Sequence, residues 1–154
     1  MKDSVKIKGM FRVQLTEDGK VVGDSGWHEN MITNDGFNQY LVRHLGGDTD
    51  RKSITHMAIG TGTAPASDAT SLAGEITTDA GRIAVSSSSV ASHTYQATAQ
   101  WASSLHTGTH TIQNLGLFNT ESGGTIFAGN TFATSQWNSN QDVNATYQIR
   151  FATA

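Results

Sequence analysis

The sequence contains no cysteine, a single proline and few charged residues. Without cysteine there is no disulfide, no zinc–thiolate site and no thiol nucleophile. Charged residues make up 15% of the chain, against about 25% in a typical domain. The net charge of −3 argues against electrostatic capture of nucleic acid by clustered Lys and Arg. No apolar run approaches the roughly 18 residues of a membrane span, so the sequence predicts neither a nucleic-acid nor a membrane partner.

Serine and threonine take the place of the missing charges. Among the 154 residues there are 15 Ser, 20 Thr and 16 Gly, and hydrophobic residues make up 36%. This length is sufficient for one domain with a hydrophobic core of its own. The composition is typical of an uncrosslinked, polar β-domain.

The charges that are present lie mostly in the first third of the chain. Residues 1–52 hold eight basic and eight acidic groups, whereas the segment from Ile83 to Ile149 holds only Glu121 and Asp142. Lys and Glu are depleted where subunits meet, so such a surface is typical of a contact with another protein subunit. This interpretation predicts a homo-oligomer, for instance a trimer. The alternative is the exposed, Thr-rich sheet face of a monomer.

Alternation of apolar and polar residues with a period of two predicts strands along most of the chain. Residues 4–28 contain the turn Glu17-Asp18-Gly19-Lys20 and are expected to form a β-hairpin. Further strands are expected at 54–59, within 82–102, at 111–118, at 125–132 and at the C-terminus, where Val143, Ala145, Tyr147, Ile149 and Phe151 share a face toward the core or a subunit contact. The short links favour a mainly β, antiparallel β-sandwich or jelly-roll in a single compact domain.

One helix is expected among these strands. Apolar and aromatic residues recur at spacings of three and four at Phe37, Tyr40, Leu41, His44 and Leu45. Either Asn34 or Asp35 can cap its N-terminus, and Gly46-Gly47 provides the stop. The spacing therefore predicts a short α-helix near residues 35–45.

The residues that could carry chemistry do not form a recognisable site. His106 and His110 are four residues apart, which on a strand separates them by about 13 Å, too far for one ion unless the chain bends at Gly108. The Gly60-Thr61-Gly62 segment lacks the third glycine and the Gly-Lys-Ser/Thr ending of phosphate loops. Residues 46–50 lack the ligand spacing of a calcium loop. The sequence therefore predicts no enzyme, no catalytic residue, no cofactor and no metal ligand.

Three stretches taken together resemble a known group of proteins. They are short and rich in Gly and Thr: residues 32–41 with 46–47, residues 54–66 with 72–75, and residues 115–119 with 123–129 and the strand ending at Arg150-Phe151. In this order they resemble small virion structural proteins of tailed bacteriophages, and the resemblance covers roughly residues 27–154. Such proteins serve as capsid decoration (cement) proteins or as parts of tails and tail fibres.

The resemblance implies a β-sandwich without catalytic residues. It also implies a non-enzymatic virion protein, made in the host cytoplasm, which binds the major capsid protein or other virion proteins. The first expectation is a decoration protein that binds and stabilises the outer capsid lattice from the capsid exterior.

The alternative is a tail or tail-fibre component, with host-glycan binding as one further role. Aromatic side chains offer sugars an apolar platform, and the candidates here are Trp27, Trp101 and Trp137. Tryptophans of β-domains are more often found in the core or in an interface. These three residues are therefore candidate partner contacts under either interpretation.

The N-terminal hairpin, residues 1–26, lies outside the resemblance and is expected to be a contact arm attached to a sandwich of residues 27–154. On a regular strand Lys2, Lys6 and Lys8 point away from its apolar side chains, toward solvent or a partner. They are candidate contacts with an acidic virion surface. The alternative is that these lysines only keep an edge strand soluble.

Overall fold

Eleven strands form two antiparallel sheets in the computed structural model, which describes residues 4–79, 81–105 and 108–153. The strands are β1 (Val5–Glu17), β2 (Lys20–Asp24), β3 (His28–Glu29), β4 (Met31–Ile32), β5 (His56–Gly60), β6 (Ile83–Ala84), β7 (Ser86–Ala91), β8 (Thr94–Trp101), β9 (Thr109–Phe118), β10 (Ile126–Asn138) and β11 (Asp142–Thr153). A short 3₁₀ turn, Ser103–Leu105, follows β8. The predicted mainly β, antiparallel sandwich in a single domain is confirmed.

The two sheets enclose the core between them. The larger sheet has the order β2-β1-β11-β8-β7, with β3 also paired to β1, and the smaller has the order β4-β10-β9-β5-β6. The largest side chains buried between the sheets are those of Trp101, Trp137, Tyr147, Phe11 and Phe127. Burying one large apolar side chain completely contributes about 1.5–3 kcal/mol, so this aromatic cluster is a main source of stability.

The first strand is an interior strand of the larger sheet. β1 pairs with β11 from Val5↔Thr153 to Thr16↔Asp142 and with β2 on its other side. Its inward residues Phe11, Val13 and Leu15 are buried in the core. The predicted N-terminal hairpin is present as β1 and β2, but it is part of the sandwich, so the boundary between residues 1–26 and residues 27–154 is corrected. Its role as a contact stays a prediction. The apolar face of β1 is buried because it packs into the core shared with the smaller sheet, so β1 is part of the sandwich.

The predicted helix is present but is wider than an α-helix over most of its length. A π-helical segment, Gly36–Val42, continues into one α-helical turn, Arg43–Leu45, and the two together are called α1. Hydrogen bonds in a π-helix run from i to i+5, so a spacing of three and four does not keep side chains on one face. Tyr40 is buried, whereas Leu45 is 91% exposed. The predicted position is therefore right, and the predicted apolar face is only partly buried.

One residue before α1 and one residue after it set the two ends of the helix. The Thr33 hydroxyl accepts a hydrogen bond from the Gly36 backbone N–H at 2.9 Å and donates one to the Ile126 carbonyl at 2.8 Å. Thr33 therefore caps the helix, in place of the expected Asn34 or Asp35. At the other end Gly47 has φ +66°, the left-handed conformation that the predicted glycine stop requires.

A long loop covers the outer face of the smaller sheet. Leu72 packs there against Ala58, Phe118 and Ile126. The Asn114 side-chain amide on β9 donates to the carbonyls of Thr63 at 3.0 Å and Ala73 at 2.8 Å, which fixes the loop to the sheet. No comparable segment covers the larger sheet among the described residues, so its outer face is open to a partner.

The last strand leaves the core before it ends. Val143, Ala145, Tyr147 and Ile149 are buried as predicted, but Phe151 is 36% exposed. Pairing between β11 and β8 stops at Arg150↔Thr94, so Phe151 lies at the open end of the sandwich. Phe151 is therefore not a core residue, and the alternative that it faces a subunit contact stays a prediction.

Candidate functional site

The outer face of the larger sheet is a broad surface of uncharged polar side chains, and we call it the polar face. Strand register places these side chains in rows: Gln96 is opposite Gln148, Thr98 opposite Thr146, and Gln100 opposite Asn144. Gln14, Thr16, Ser86 and Ser88 extend the rows onto β1 and β7. Arg12 on β1 lies opposite Thr146 in the same rows, and its charge is paired with Asp24 on β2. The charge-poor part of the sequence and the N-terminal strand thus meet on one surface.

Cross-strand hydrogen bonds hold the amide side chains of the polar face in place. The Gln148 amide donates to Gln96 Oε1 at 2.8 Å, and the Gln100 amide donates to Asn144 Oδ1 at 3.0 Å. A side-chain amide has two N–H donors and a carbonyl acceptor, so each pair retains hydrogen-bonding capacity for a partner. Because the side chains are already ordered, a contact here costs less conformational entropy than one with mobile side chains.

One end of the polar face is basic. Lys8 on β1 lies directly opposite Arg150 on β11, and Lys6 is the next outward residue along β1. We call these three residues the basic end. Glu29 is 3.6 Å from Lys8 Nζ, in an ion pair whose two side chains are both largely exposed. Like charges directly opposite each other on a sheet are destabilising, so the arrangement favours a role in binding an acidic surface.

Two of the three lysines that the sequence predicts as contacts belong to the basic end. Lys6 and Lys8 are exposed on the face opposite the buried Phe11, while Lys2 lies outside the described residues. Arg150 was not found from the sequence, because its position beside Lys8 depends on pairing between the two ends of the chain. In the sequence, Arg150 is recognisable only as one of the outward polar residues of an alternating strand.

The three tryptophans are separated by the fold. Trp101 and Trp137 are fully buried, and their indole N–H groups donate to the carbonyls of Gly81 at 2.9 Å and Gln141 at 2.6 Å. Their proposed role as partner contacts or as a glycan platform is corrected, because a ring in the core cannot contact a sugar. Trp27 remains 42% exposed, in the link between β2 and β3.

An apolar cleft of about 380 Å³ opens at the end of the sandwich near α1, and we call it the end cleft. Its walls come from both sheets and from α1, and include Tyr40, Tyr95, Phe127, Ile149 and Phe151. Burial raises the pKa of the Tyr95 hydroxyl above its usual value, and burial together with the nearby Asp35 carboxylate raises that of Tyr40. Both shifts reflect surroundings that disfavour a negative charge on the phenol.

Lys52 is the one Lys or Arg among the described residues that line the end cleft. The Lys52 ammonium is half-buried and donates to the Thr125 hydroxyl at 2.7 Å. None of the described carboxylates lies within 4.0 Å of it, although Arg12, Arg43 and Arg82 each have an acidic partner. Lys52 was not singled out by the sequence, where it appears as one of many charges in a polar loop.

Arg82 forms a buried ion pair within the link between β5 and β6 and joins this link to the turn between β9 and β10. Its guanidinium binds both oxygens of Glu75, at 2.7 and 3.0 Å, and donates to the carbonyls of Thr120 and Gly123. The same group lies 3.5 Å from the centroid of the Phe118 ring. Four N–H donors of the guanidinium are therefore bound by groups of this chain, and one of its faces is covered by the Phe118 ring. We therefore interpret this cluster as structural.

The histidines do not form a metal centre within the described part of the chain, where no group of three or more His, Asp or Glu could hold an ion. The pair His106 and His110, which the sequence places too far apart for one ion unless the chain bends at Gly108, falls partly outside it, because His106 is not described. His110 Nε2 is 3.2 Å from Asp79 Oδ2 and its ring packs against Trp137. No helix in the described ranges is long and apolar enough to cross a membrane.

Comparisons with known proteins do not extend this description. No family model, no curated protein and no solved structure matches the chain. The functional argument therefore depends on the polar face, the basic end and the end cleft.

Proposed function

We propose that this protein is a non-enzymatic structural protein of a tailed-phage particle, and that it acts as a decoration protein on the capsid exterior. The observation that carries the proposal is the polar face, whose uncharged, ordered side chains extend over β7, β8 and β11, with the Arg12–Asp24 ion pair beside them on β1 and β2. On β7, β8 and β11 it shares with the cores of protein–protein contacts the scarcity of Lys and Glu. The sequence resemblance to small virion proteins supports the same class.

The polar face and the basic end have different roles in this proposal. The polar face makes a symmetric contact with further copies of the chain, because one self-complementary patch is enough to build a closed oligomer. The basic end lies at its margin and meets acidic groups of the major capsid protein. Charges at the margin of an interface mainly change the association rate and its salt dependence.

Binding to capsids that lack this protein tests the proposal. The wild type and the variant Lys6→Gln/Lys8→Gln are titrated against depleted capsids and, separately, against isolated tails, at two salt concentrations. We expect the wild type to bind capsids, and the variant to bind more weakly and with a smaller salt slope. Its thermal stability should be nearly unchanged, since exposed charges contribute little.

A matched variant controls for the loss of two charges. Lys20→Gln/Arg51→Gln removes two exposed cations outside the basic end and should bind like the wild type. An unchanged salt slope for Lys6→Gln/Lys8→Gln would show that the basic end is not the contact. Binding to tails but not to capsids would favour the tail alternative, and binding to neither would contradict a virion role.

A further inference from the structure

We propose that the end cleft binds a small aromatic carboxylate, with the Lys52 ammonium holding the carboxylate group and the aromatic walls holding the ring. This site is separate from the polar face, and the inference is independent of the virion function.

The walls of the end cleft fit an aromatic body. Tyr40 and Phe127 form one wall, with ring centroids 5.1 Å apart in an edge-to-face arrangement. Tyr95, Ile149 and Phe151 face them from the larger sheet. A volume of about 380 Å³ is at the lower end of the range for small-molecule pockets, roughly 300–1,000 Å³. A ligand here would cover the exposed part of Phe151, which the fold leaves in contact with water.

Lys52 supplies a positioned charge with donors to spare. An ammonium group has three N–H donors, and the hydrogen bonds of the described residues use one of them, to Thr125. The backbone of Lys52 is held on both sides, because its N–H donates to the Gln39 carbonyl at 3.0 Å and its carbonyl lies 3.1 Å from His44 Nε2. A carboxylate would form charge-assisted hydrogen bonds with the remaining donors, which are stronger than bonds between neutral groups.

The chemistry of the lining selects among ligand classes. Sugars need several polar partners, and the walls of the end cleft are mostly aromatic and aliphatic, with Ser53, Ser87 and His44 among the few polar groups. A phosphate group carries close to two charges at neutral pH, whereas Lys52 is the single Lys or Arg among the described lining residues. A singly charged acid on an apolar ring matches both features.

Two probes of the same shape distinguish the contribution of the ligand's charge to binding from that of its aromatic ring. Isothermal titration of the full chain with 2-naphthoate and with neutral 2-naphthamide should show saturable binding of both. We expect the acid to bind about tenfold more tightly, because its contact with Lys52 is charge-assisted. Equal affinity for the two probes in the wild type overturns the proposal without any variant, and so does the absence of saturable 2-naphthoate binding at millimolar concentration.

Variants then assign the preference to Lys52. Lys52→Met should bind the acid and the amide with equal affinity, whereas Lys52→Arg should keep the preference. Lys20→Met, which removes an exposed lysine from β2, is the matched control and should behave like the wild type. Phe151→Ala should lower the affinity for both probes by the same factor, because it removes part of the aromatic wall and no charge. Thermal unfolding of each variant confirms that it is folded, and a preference that survives in folded Lys52→Met contradicts the assignment.

Discussion

Two phenylalanines on the paired strands β1 and β11 differ in how far the fold buries them. Phe11 is fully buried and packs against His28 and Phe132, whereas Phe151 is 36% exposed at the rim of the end cleft. Phe11→Ala should therefore lower the free energy of unfolding by about 3–5 kcal/mol. Phe151→Ala should lower it by about 1–2 kcal/mol, because less apolar surface is lost. Urea unfolding of both variants checks this order, and equal losses would contradict it.

Arg82 provides a second prediction about single residues. Arg82→Met leaves Glu75 without its cation and two loop carbonyls without a donor, so we expect a loss of about 3–5 kcal/mol, as for other broken buried ion pairs. The double variant Arg82→Met/Glu75→Leu should recover part of that loss, because no buried charge remains. Urea unfolding of the single and double variants measures the difference. A double variant less stable than Arg82→Met would show that the ion pair is not the main contribution.

Among the secondary-structure elements, α1 depends on close packing at its first turn. A Cβ at Gly36 would clash with the Phe127 carbonyl oxygen on β10, whereas the nearest atom to a Cβ at Gly46 would be 3.8 Å away. Gly36→Ala should therefore cost about 1–3 kcal/mol, as overpacking does. Gly46→Ala, where φ is −80°, should be neutral or stabilising by up to about 1 kcal/mol. Thermal unfolding compares the two, and similar effects would argue against the contact between α1 and β10.

The pairing of β2 with β1 should depend on pH. Hydrogen bonds from the Arg12 guanidinium, the Gly26 N–H and the Gln14 amide hold the pKa of Asp24 well below its usual value. A group whose pKa is lowered by folding stabilises the native state above its unfolded pKa, and that stabilisation is lost as the pH falls through the folded pKa. The stability difference between the wild type and Asp24→Asn should therefore be constant above about pH 5 and shrink below it.

Urea unfolding between pH 7 and pH 2 measures this difference. In an Arg12→Gln background the same comparison should show a weaker pH dependence, because the main hydrogen-bond donor to Asp24 is removed. A difference that does not change with pH in the wild-type background would contradict the role of this pair.

For the whole molecule, the polar face predicts self-association. Thr98 lies at its centre, between Thr146 and Ser86, and Thr98→Lys would place a like charge in each half of a symmetric contact. We expect the wild type to form oligomers and Thr98→Lys to remain near the monomer mass of 16.4 kDa. Thr70→Lys makes the same change at an exposed loop position away from the polar face and should not alter the mass. Light scattering over a wide concentration range distinguishes these outcomes.

A wild type that stays monomeric at every concentration, and that does not assemble on capsids either, would contradict self-association. The polar face would then be the exposed sheet face of a monomer, which was the alternative from the sequence.

The sequence by itself determined the fold class and the positions of most elements. Alternating residues in β1, β8 and β11 identified the buried face of each strand, because a side chain in a strand alternates between two sides. The turn at residues 18–19 and the stop at Gly47 were likewise predictable, since both depend on local backbone preferences. Within α1 the same local signal located the helix but not its π-helical width or the close contact of Gly36 with β10, which joins residues distant in sequence.

Only the tertiary structure decided which of these residues share a surface. Lys8 and Arg150 are neighbours because the two ends of the chain pair, and Lys52 borders an apolar cleft because α1 packs at the end of the sandwich. Trp101 and Trp137 are hidden because both sheets close over them. Such placements depend on strand register and on packing between residues distant in sequence, and a local pattern with a period of two reports only which side of its own strand a residue occupies.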